Sequence, residues 1–458
     1  MESRLTAIGN AGKFARMKTT SLNTSRRSFL KSATTLAAAS SLPAWVVAEA
    51  ADQKSAAPAS GNDQLRFALI GCGGQGTGDA KNAQNFGRIV AVCDVDESHL
   101  AAAKKTFAGA EGYSDFRKLL ERKDVDAVIC GTVDHWHTIV SMAAMKAGKD
   151  VYCEKPLTLT IDEGKRVLEV QRKTGRVLQT GTQQRSSQRF RLAIDVVRNG
   201  RIGKLQRAEV WLPAGLREGP FKTTDVPAGF NFDFWMGQTP KVDYVKERTH
   251  RTFRYWWEYS GGTMTDWGAH HNDIVLWALD MDGSGPVSVE GKQLVEMIPG
   301  GYTAASEYEV TYTYASGFVH SCRSTKASSP FGAVVDPKGQ PNGIKFIGSD
   351  GWVWVSREAL DASKREILAD KLPDSAPRVY ISNNHMGNFA ECVKSRKAPL
   401  CSAETGHRSA SIAHLGTTAI RLGRKLNWDP VKEQYVNDPE ATKFLAREMR
   451  KPYDYDMI

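Results

Sequence analysis

The chain has 458 residues, 41% of them hydrophobic and 24% charged, a balance that suits two packed domains and excludes extended disorder or a long coiled coil. Half of the formal charge of +10 is terminal: residues 1–50 hold seven Lys and Arg against two Asp and Glu, so a chain starting at Ala51 carries 54 against 49, or +5. So small and evenly spread an excess gives nucleic acid no charged surface to bind.

In chain order, the first signal is an export leader. Arg26 and Arg27 precede Ser28-Phe29-Leu30-Lys31, an interrupted apolar stretch, and the small-residue end Ala48-Glu49-Ala50. This is the pattern of a twin-arginine signal peptide over residues 1–50, with Met17 as an alternative start. A basic amphipathic helix would not explain the Ala-Glu-Ala end. The leader predicts export in the folded state, through the twin-arginine machinery, to the periplasm or beyond. No later segment carries 18 uninterrupted apolar residues, so no stable membrane insertion is expected. The seven cysteines include no C-x-x-C pair. They read as small buried fillers, and no structural metal is expected.

After a polar linker over 51–64, the runs "RFALIG", "IVAVCD", "DAVICGT", "DVYCE" and "VLQTGT" alternate with helical segments. Continuous apolar runs mark strands buried on both faces, so 65–182 is expected to be a doubly wound α/β domain with a parallel sheet. From 183 to 382 the strands alternate polar and apolar residues over longer spans. That pattern predicts an α+β domain with an open, mainly antiparallel sheet whose free face suits a subunit interface, and hence a homodimer or homotetramer. Two helical segments within 383–458 are expected to pack back on the first domain.

The first strand runs into Gly71-Cys72-Gly73-Gly74-Gln75-Gly76, a match to G-x-G-x-x-G that follows a strand and precedes a helix. Glycines there let backbone amides approach a pyrophosphate at a helix N-terminus, as in a Rossmann fold. Asp94 ends the second strand, where a carboxylate accepts from ribose hydroxyls and repels a 2′-phosphate, which favours NAD over NADP. "GTVDHWH", 131–137, should edge the same cleft, because ligands bind at the carboxyl ends of parallel strands. Thr132, His135 and His137 on this stretch, with Glu154, Lys155 and Gln183 farther on, complete the candidate cofactor contacts. Lys155 follows a core strand, where its ammonium can stabilise an alkoxide developing beside nicotinamide; a solvated strand-end lysine is the plain alternative.

"CEKP", "GTVDHWH" and "GGTMTDWGAHHNDIVLWAL" together resemble the Gfo/Idh/MocA family of oxidoreductases, over essentially the whole chain after the leader. Val133 departs from the proline common in that loop. The resemblance implies that Lys155, Asp266 and His270 form the catalytic set. The spacing agrees with it: if a helix begins near Asp266, residues 266 and 270 share its face, an imidazole can take a hydroxyl proton, and a carboxylate can orient or tune it. His271 or Asp273 could substitute for His270.

Substrate contacts are expected from His271, Arg185, Trp267 and Arg251, with Arg254 in support. The aromatic-rich segment 230–259 fits either sugar stacking or core packing. Combined with export, which separates the enzyme from cytoplasmic NAD, these features predict an oxidoreductase that holds its cofactor tightly and acts on a sugar, polyol or glycoside. The alternatives are a glycosidase that uses NAD transiently, by oxidation, elimination and re-reduction, and a sugar-binding protein without turnover.

Overall fold

The computed structural model describes residues 42–43, 45–46, 64–326 and 342–458. The expected leader and linker lie almost wholly outside the described residues. Of the leader, Val46 is buried in the core of the second domain, and Trp45 donates from Nε1 to the Ala369 carbonyl at 3.2 Å.

The first domain runs β1 (Leu65–Ile70), α1 (Gly74–Ala83), β2 (Gly87–Cys93), α2 (Glu97–Thr106), β3 (Glu111–Tyr113), α3 (Phe116–Leu120), β4 (Ala127–Cys130), α4 (His137–Lys146), β5 (Asp150–Cys153), α5 (Ile161–Thr174) and β6 (Leu178–Thr180). The sheet order is β3-β2-β1-β4-β5-β6, and every pairing is parallel. All residues of β4 and β5 are buried, the result of helices covering both faces. Helix starts follow local chemistry: Asp96 accepts from Ser98 N and His99 N at the head of α2, and Thr160 accepts from Glu163 N at the head of α5. Chain order reverses between β1 and β4, which opens a crevice at their carboxyl ends.

The second domain contains α6 (Gln188–Arg198), β7 (Leu205–Leu212), α7 (Phe232–Met236), α8 (Thr263–Asp266), α9 (Gly268–Ala278), β8 (Ser288–Gln293), β9 (Tyr308–Thr313), β10 (Val319–Ser324), β11 (Gly343–Gly348), β12 (Trp352–Val355), β13 (Leu360–Ala362), α10 (Glu366–Ala369), α11 (His385–Ser395), α12 (Ala403–Leu422), β14 (Lys425–Asp429) and β15 (Gln434–Tyr435). Its nine strands are ordered β13-β12-β11-β7-β10-β9-β8-β14-β15, antiparallel except for the β7–β10 pair. The alternation of β9 buries Tyr308, Val310 and Tyr312 in one core with Ile274 and Val275 of α9 and Ile412 of α12.

Two features bring the domains together over the crevice. Phe389 and Met386 of α11 join the core of Phe67 and Leu69 in the first domain, whereas α12 packs against both α5 and β8. The segment between β7 and α8 also crosses to the first domain: Glu97 N donates to Gly229 O at 2.9 Å and Asn231 N to Val95 O at 3.0 Å.

Candidate active site

At the head of the crevice the backbone comes close enough to require glycine. Gly71 has φ +89, and a Cβ there would lie 2.5 Å from Thr132 N; one on Gly76 would lie 2.2 Å from Gly71 O. Gly73 and Gly74 face open space, with nothing within 4 Å of an added Cβ. Asp94 follows β2 and accepts from Cys72 N at 2.7 Å and from Asp96 N at 2.9 Å, so its carboxylate is fixed beside the glycine turn. These groups border a cavity of about 960 Å³ that continues past Thr132, Glu154 and Gln183 to Lys155, Asp266 and His270. A glycine cradle followed by a fixed carboxylate fits a dinucleotide: amides for the pyrophosphate, Asp94 for the ribose.

The far end of this cavity joins the two domains. Lys155, just past β5, donates from Nζ to Oδ1 of Asp266 at the end of α8. Arg254 Nε lies 3.4 Å from the other oxygen, Oδ2. Burial raises the Asp266 carboxyl, but the Lys155 ammonium and the Arg254 guanidinium outweigh it and bring it down to about 2. His270 lies in the first turn of α9, 5% exposed, and its Nδ1 has no protein partner among the described residues. Burial pushes its pKa well below the ordinary histidine value, and the cations Arg357 and Lys155 push it the same way. The ring is therefore neutral and able to accept a proton. Nearby, Glu154 accepts from Gln183 Nε2 at 2.7 Å, and burial raises its carboxyl.

Gly71, Gly73, Gly74, Gln75, Asp94, Thr132, His137, Glu154, Lys155, Gln183, Arg251, Asp266, Trp267 and His270 all border the cavity. His137 does so with both ring nitrogens engaged, Nδ1 with Pro156 O at 2.6 Å and Nε2 with Thr132 O at 3.1 Å, so it shapes the loop. Gly76 lies behind the turn and provides the close approach of α1 to Gly131.

Three expected contacts are corrected. His135 is fully buried, with Nε2 on Trp235 O at 2.9 Å and its ring against Tyr259; it packs the loop and does not reach the cavity. His271 is fully buried between Gln184 and Asn342. Arg185, 1% exposed, directs Nε and Nη2 to Asp273 at 2.8 and 2.7 Å and Nη1 and Nη2 to Asp282 at 2.7 Å. A guanidinium with its donors so occupied has no fork left for a substrate. Asp273 is thereby occupied as well and cannot stand in for His270.

The aromatic segment is mainly core: Phe232, Tyr244, Trp256 and Tyr259 form one buried cluster with Tyr302, while Phe230, Trp235 and Phe253 belong to that cluster and also touch the cavity. Sequence reasoning missed Arg357, which follows β12 and places its guanidinium 4.5 Å from the Trp267 ring centroid. It also missed Asp96, His99 and His250 at the cofactor end, which bring metal-ligating atom types within 4.8 Å of one another. There Asp96 already caps α2.

Residues 65–182 match the oxidoreductase-family NAD-binding Rossmann fold, and residues 211–455 match the C-terminal alpha/beta domain of the same family. The chain belongs to the Gfo/Idh/MocA oxidoreductase family, and its first domain binds NAD. Among its relatives is the myo-inositol 2-dehydrogenase of Thermotoga maritima, 34% identical over 382 residues that cover 80% of this chain and 99% of the relative. A glycosyl hydrolase family 109 protein of Shewanella sp. is 34% identical over 158 residues, 30% of this chain and 35% of that protein. The WlbA dehydrogenase of Bordetella pertussis, solved with NADH and UDP-GlcNAcA, shares the fold with a TM-score of 0.60 at 20% identity, over 80% of this chain and 99% of that one.

Proposed function

We propose that this protein is an exported, NAD-containing oxidoreductase that acts on a CH–OH group of a sugar, cyclic polyol or glycoside. The observation that carries this reading is the single cavity running from the glycine turn and Asp94 to the Lys155–Asp266 contact and His270. The inositol dehydrogenase relative supports a polyhydroxylated ring as substrate. Bound NAD supplies the hydride acceptor. Neutral His270 takes the hydroxyl proton, Lys155 donates to the substrate oxygen as charge develops on it, and Asp266 keeps the ammonium oriented and compensated. Gly71, Gly73, Gly74 and Asp94 would hold the dinucleotide.

The arginine pair Arg26-Arg27 and the Ala48-Glu49-Ala50 end support export of the folded, cofactor-loaded chain. A cofactor retained outside the cytoplasm has to be regenerated on the enzyme, by a second substrate or by a closed cycle. The partial likeness to a glycosyl hydrolase family 109 protein favours, as a second reading, a closed cycle in which a glycosidic bond leaves between oxidation and re-reduction. The face of the nine-stranded sheet where Lys345 lies 4.5 Å from the Trp352 ring is proposed as the homo-oligomer interface.

The test is a denaturing extraction of protein purified from the periplasm, with N-terminal sequencing of the same sample. Near-stoichiometric NAD and a start near Ala51 are expected. An empty site with weak NAD affinity would overturn the resident-cofactor reading, and a chain retained in the cytoplasm with its leader intact would overturn export.

A further inference from the structure

The catalytic end of the cavity carries more positive charge than its chemistry uses. Lys155 and Arg254 converge on Asp266, whose one carboxylate offsets only one of their two charges. Asp134 is turned to another partner, accepting from Ser260 Oγ at 2.5 Å, and burial raises its carboxyl; burial raises Glu154 as well. Arg357 borders the same space and has no carboxylate within 4.0 Å among the described residues. With the Gln184 amide turned so that its oxygen faces the guanidinium, Nε of Arg357 donates to it at 3.1 Å. The two terminal amino groups have no described partner.

The guanidinium also lies against an aromatic ring. Its carbon lies 4.5 Å from the centroid of Trp267, a residue that borders the cavity between Asp266 and His270 in sequence. With Nε on Gln184, the two terminal amino groups form the edge left for bidentate bonding to an oxyanion. Arg357 is exposed along the open cavity, and neighbouring atoms strip enough of its hydration to lower its pKa, an effect that Glu358, Asp266 and Glu154 only partly offset. A guanidinium that faces the cavity with no carboxylate of its own can pair with an anion brought in with the ligand.

We infer that the substrate is an anionic sugar whose carboxylate or phosphoryl group seats on Arg357, with the hydroxyl to be oxidised at Lys155 and His270. This rests on the sugar-oxidoreductase reading above and narrows its substrate class. A neutral polyol would leave the Arg357 fork facing hydroxyls, which bond a guanidinium less strongly than an oxyanion does.

The experiment is calorimetric titration of the NAD-loaded protein with D-glucuronate, D-glucose 6-phosphate and D-glucose, repeated on Arg357→Met and Arg357→Lys. One of the two anions is expected to bind at least about tenfold more tightly than glucose, the yield of a charge-assisted hydrogen-bond pair. Which anion wins separates carboxylate from phosphoryl. That advantage should vanish in Arg357→Met and survive in part in Arg357→Lys. An anion that does not outbind glucose in the wild-type protein, through equal affinity or none, overturns the inference, as does an advantage that persists in Arg357→Met. Turnover is followed separately through the near-ultraviolet absorbance of bound NADH. Anion-selective binding that depends on Arg357, with no redox change for any sugar, sinks the dehydrogenase reading and leaves the anion site standing.

Discussion

Replacing Lys155 with methionine should separate catalysis from stability, and the structure sets the size of both effects. Lys155 and Asp266 have side chains 14% and 19% exposed, and Asp266 is brought down to about 2 against the net upward push of its burial. Relative to an ordinary aspartate near 3.9, that depression is worth roughly 2.5 kcal/mol at 1.36 kcal/mol per pKa unit. Lys155 shares it with Arg254, so the variant should lose roughly 1–2 kcal/mol, or about 2–6 °C in Tm for a domain of this size. Arg254 remains 3.4 Å from the carboxylate, which is why the loss stops short of unfolding. The carboxyl is depressed in the folded state, so its contribution is present above pH ~3.9 and is lost as pH falls through about 2. The variant should give up that acid tolerance first. Catalysis should fall much further, by about 10²–10³ in kcat, because the donor to the developing alkoxide is gone. The assay is single-turnover reduction of bound NAD, read beside NAD content and Tm. A variant with full NAD content and kcat within about threefold of wild type would refute the assignment of Lys155 as that donor.

Acidification supplies the next prediction: burial depresses His135, His271, His320 and His414 to about 3 and His385 to about 4. As pH drops below ~6.5 the unfolded chain takes up protons that these folded-state histidines refuse, so stability falls by up to about 1.4 kcal/mol per group per pH unit. His99 and His137, raised in the fold, oppose this, but two groups do not offset five, and Tm should fall steadily between pH 6.5 and 4; a flat profile there would contradict the burial. Gly76→Ala forces a Cβ to 2.2 Å from Gly71 O, so the purified protein should lose bound NAD along with stability, measured by extraction and thermal unfolding. Unchanged NAD content would show that the turn tolerates the shift. Arg185→Met strands the buried Asp273 carboxylate and should cost about 3–5 kcal/mol by denaturant unfolding, while leaving the relative affinities for glucuronate and glucose alone. A change in that affinity ratio would return Arg185 to the substrate site.

The contrast between Arg185 and Lys155 shows what local sequence carries and what it leaves out. Lys155, Asp94 and the glycine turn could be placed because a strand buried on both faces has one functional end, and residues just past it fall at the crevice whatever the rest of the chain does. The helix carrying His270 and His271 has no such marker. Every residue of α9 is buried, so the stripe of polarity that would orient it is missing, and two adjacent histidines about 100° apart around the axis look equivalent in sequence. Packing against α12, α6 and β7 decides between them, sending His270 to the cavity and His271 to Gln184 and Asn342. Arg185 was misplaced for a related reason: it follows a parallel strand as Lys155 does, but Asp273 and Asp282, 88 and 97 residues away, take its charge. Arg357 inverts the case. It follows "WVWV", a run whose alternation gives only a sheet face, and it joins the site because β12 lies in the same sheet as β7, two strands away, beside the mouth of the first domain. An arginine made structural and an arginine left facing the cavity thus differ by their distant carboxylates, and those are set by topology, which no local window of sequence contains.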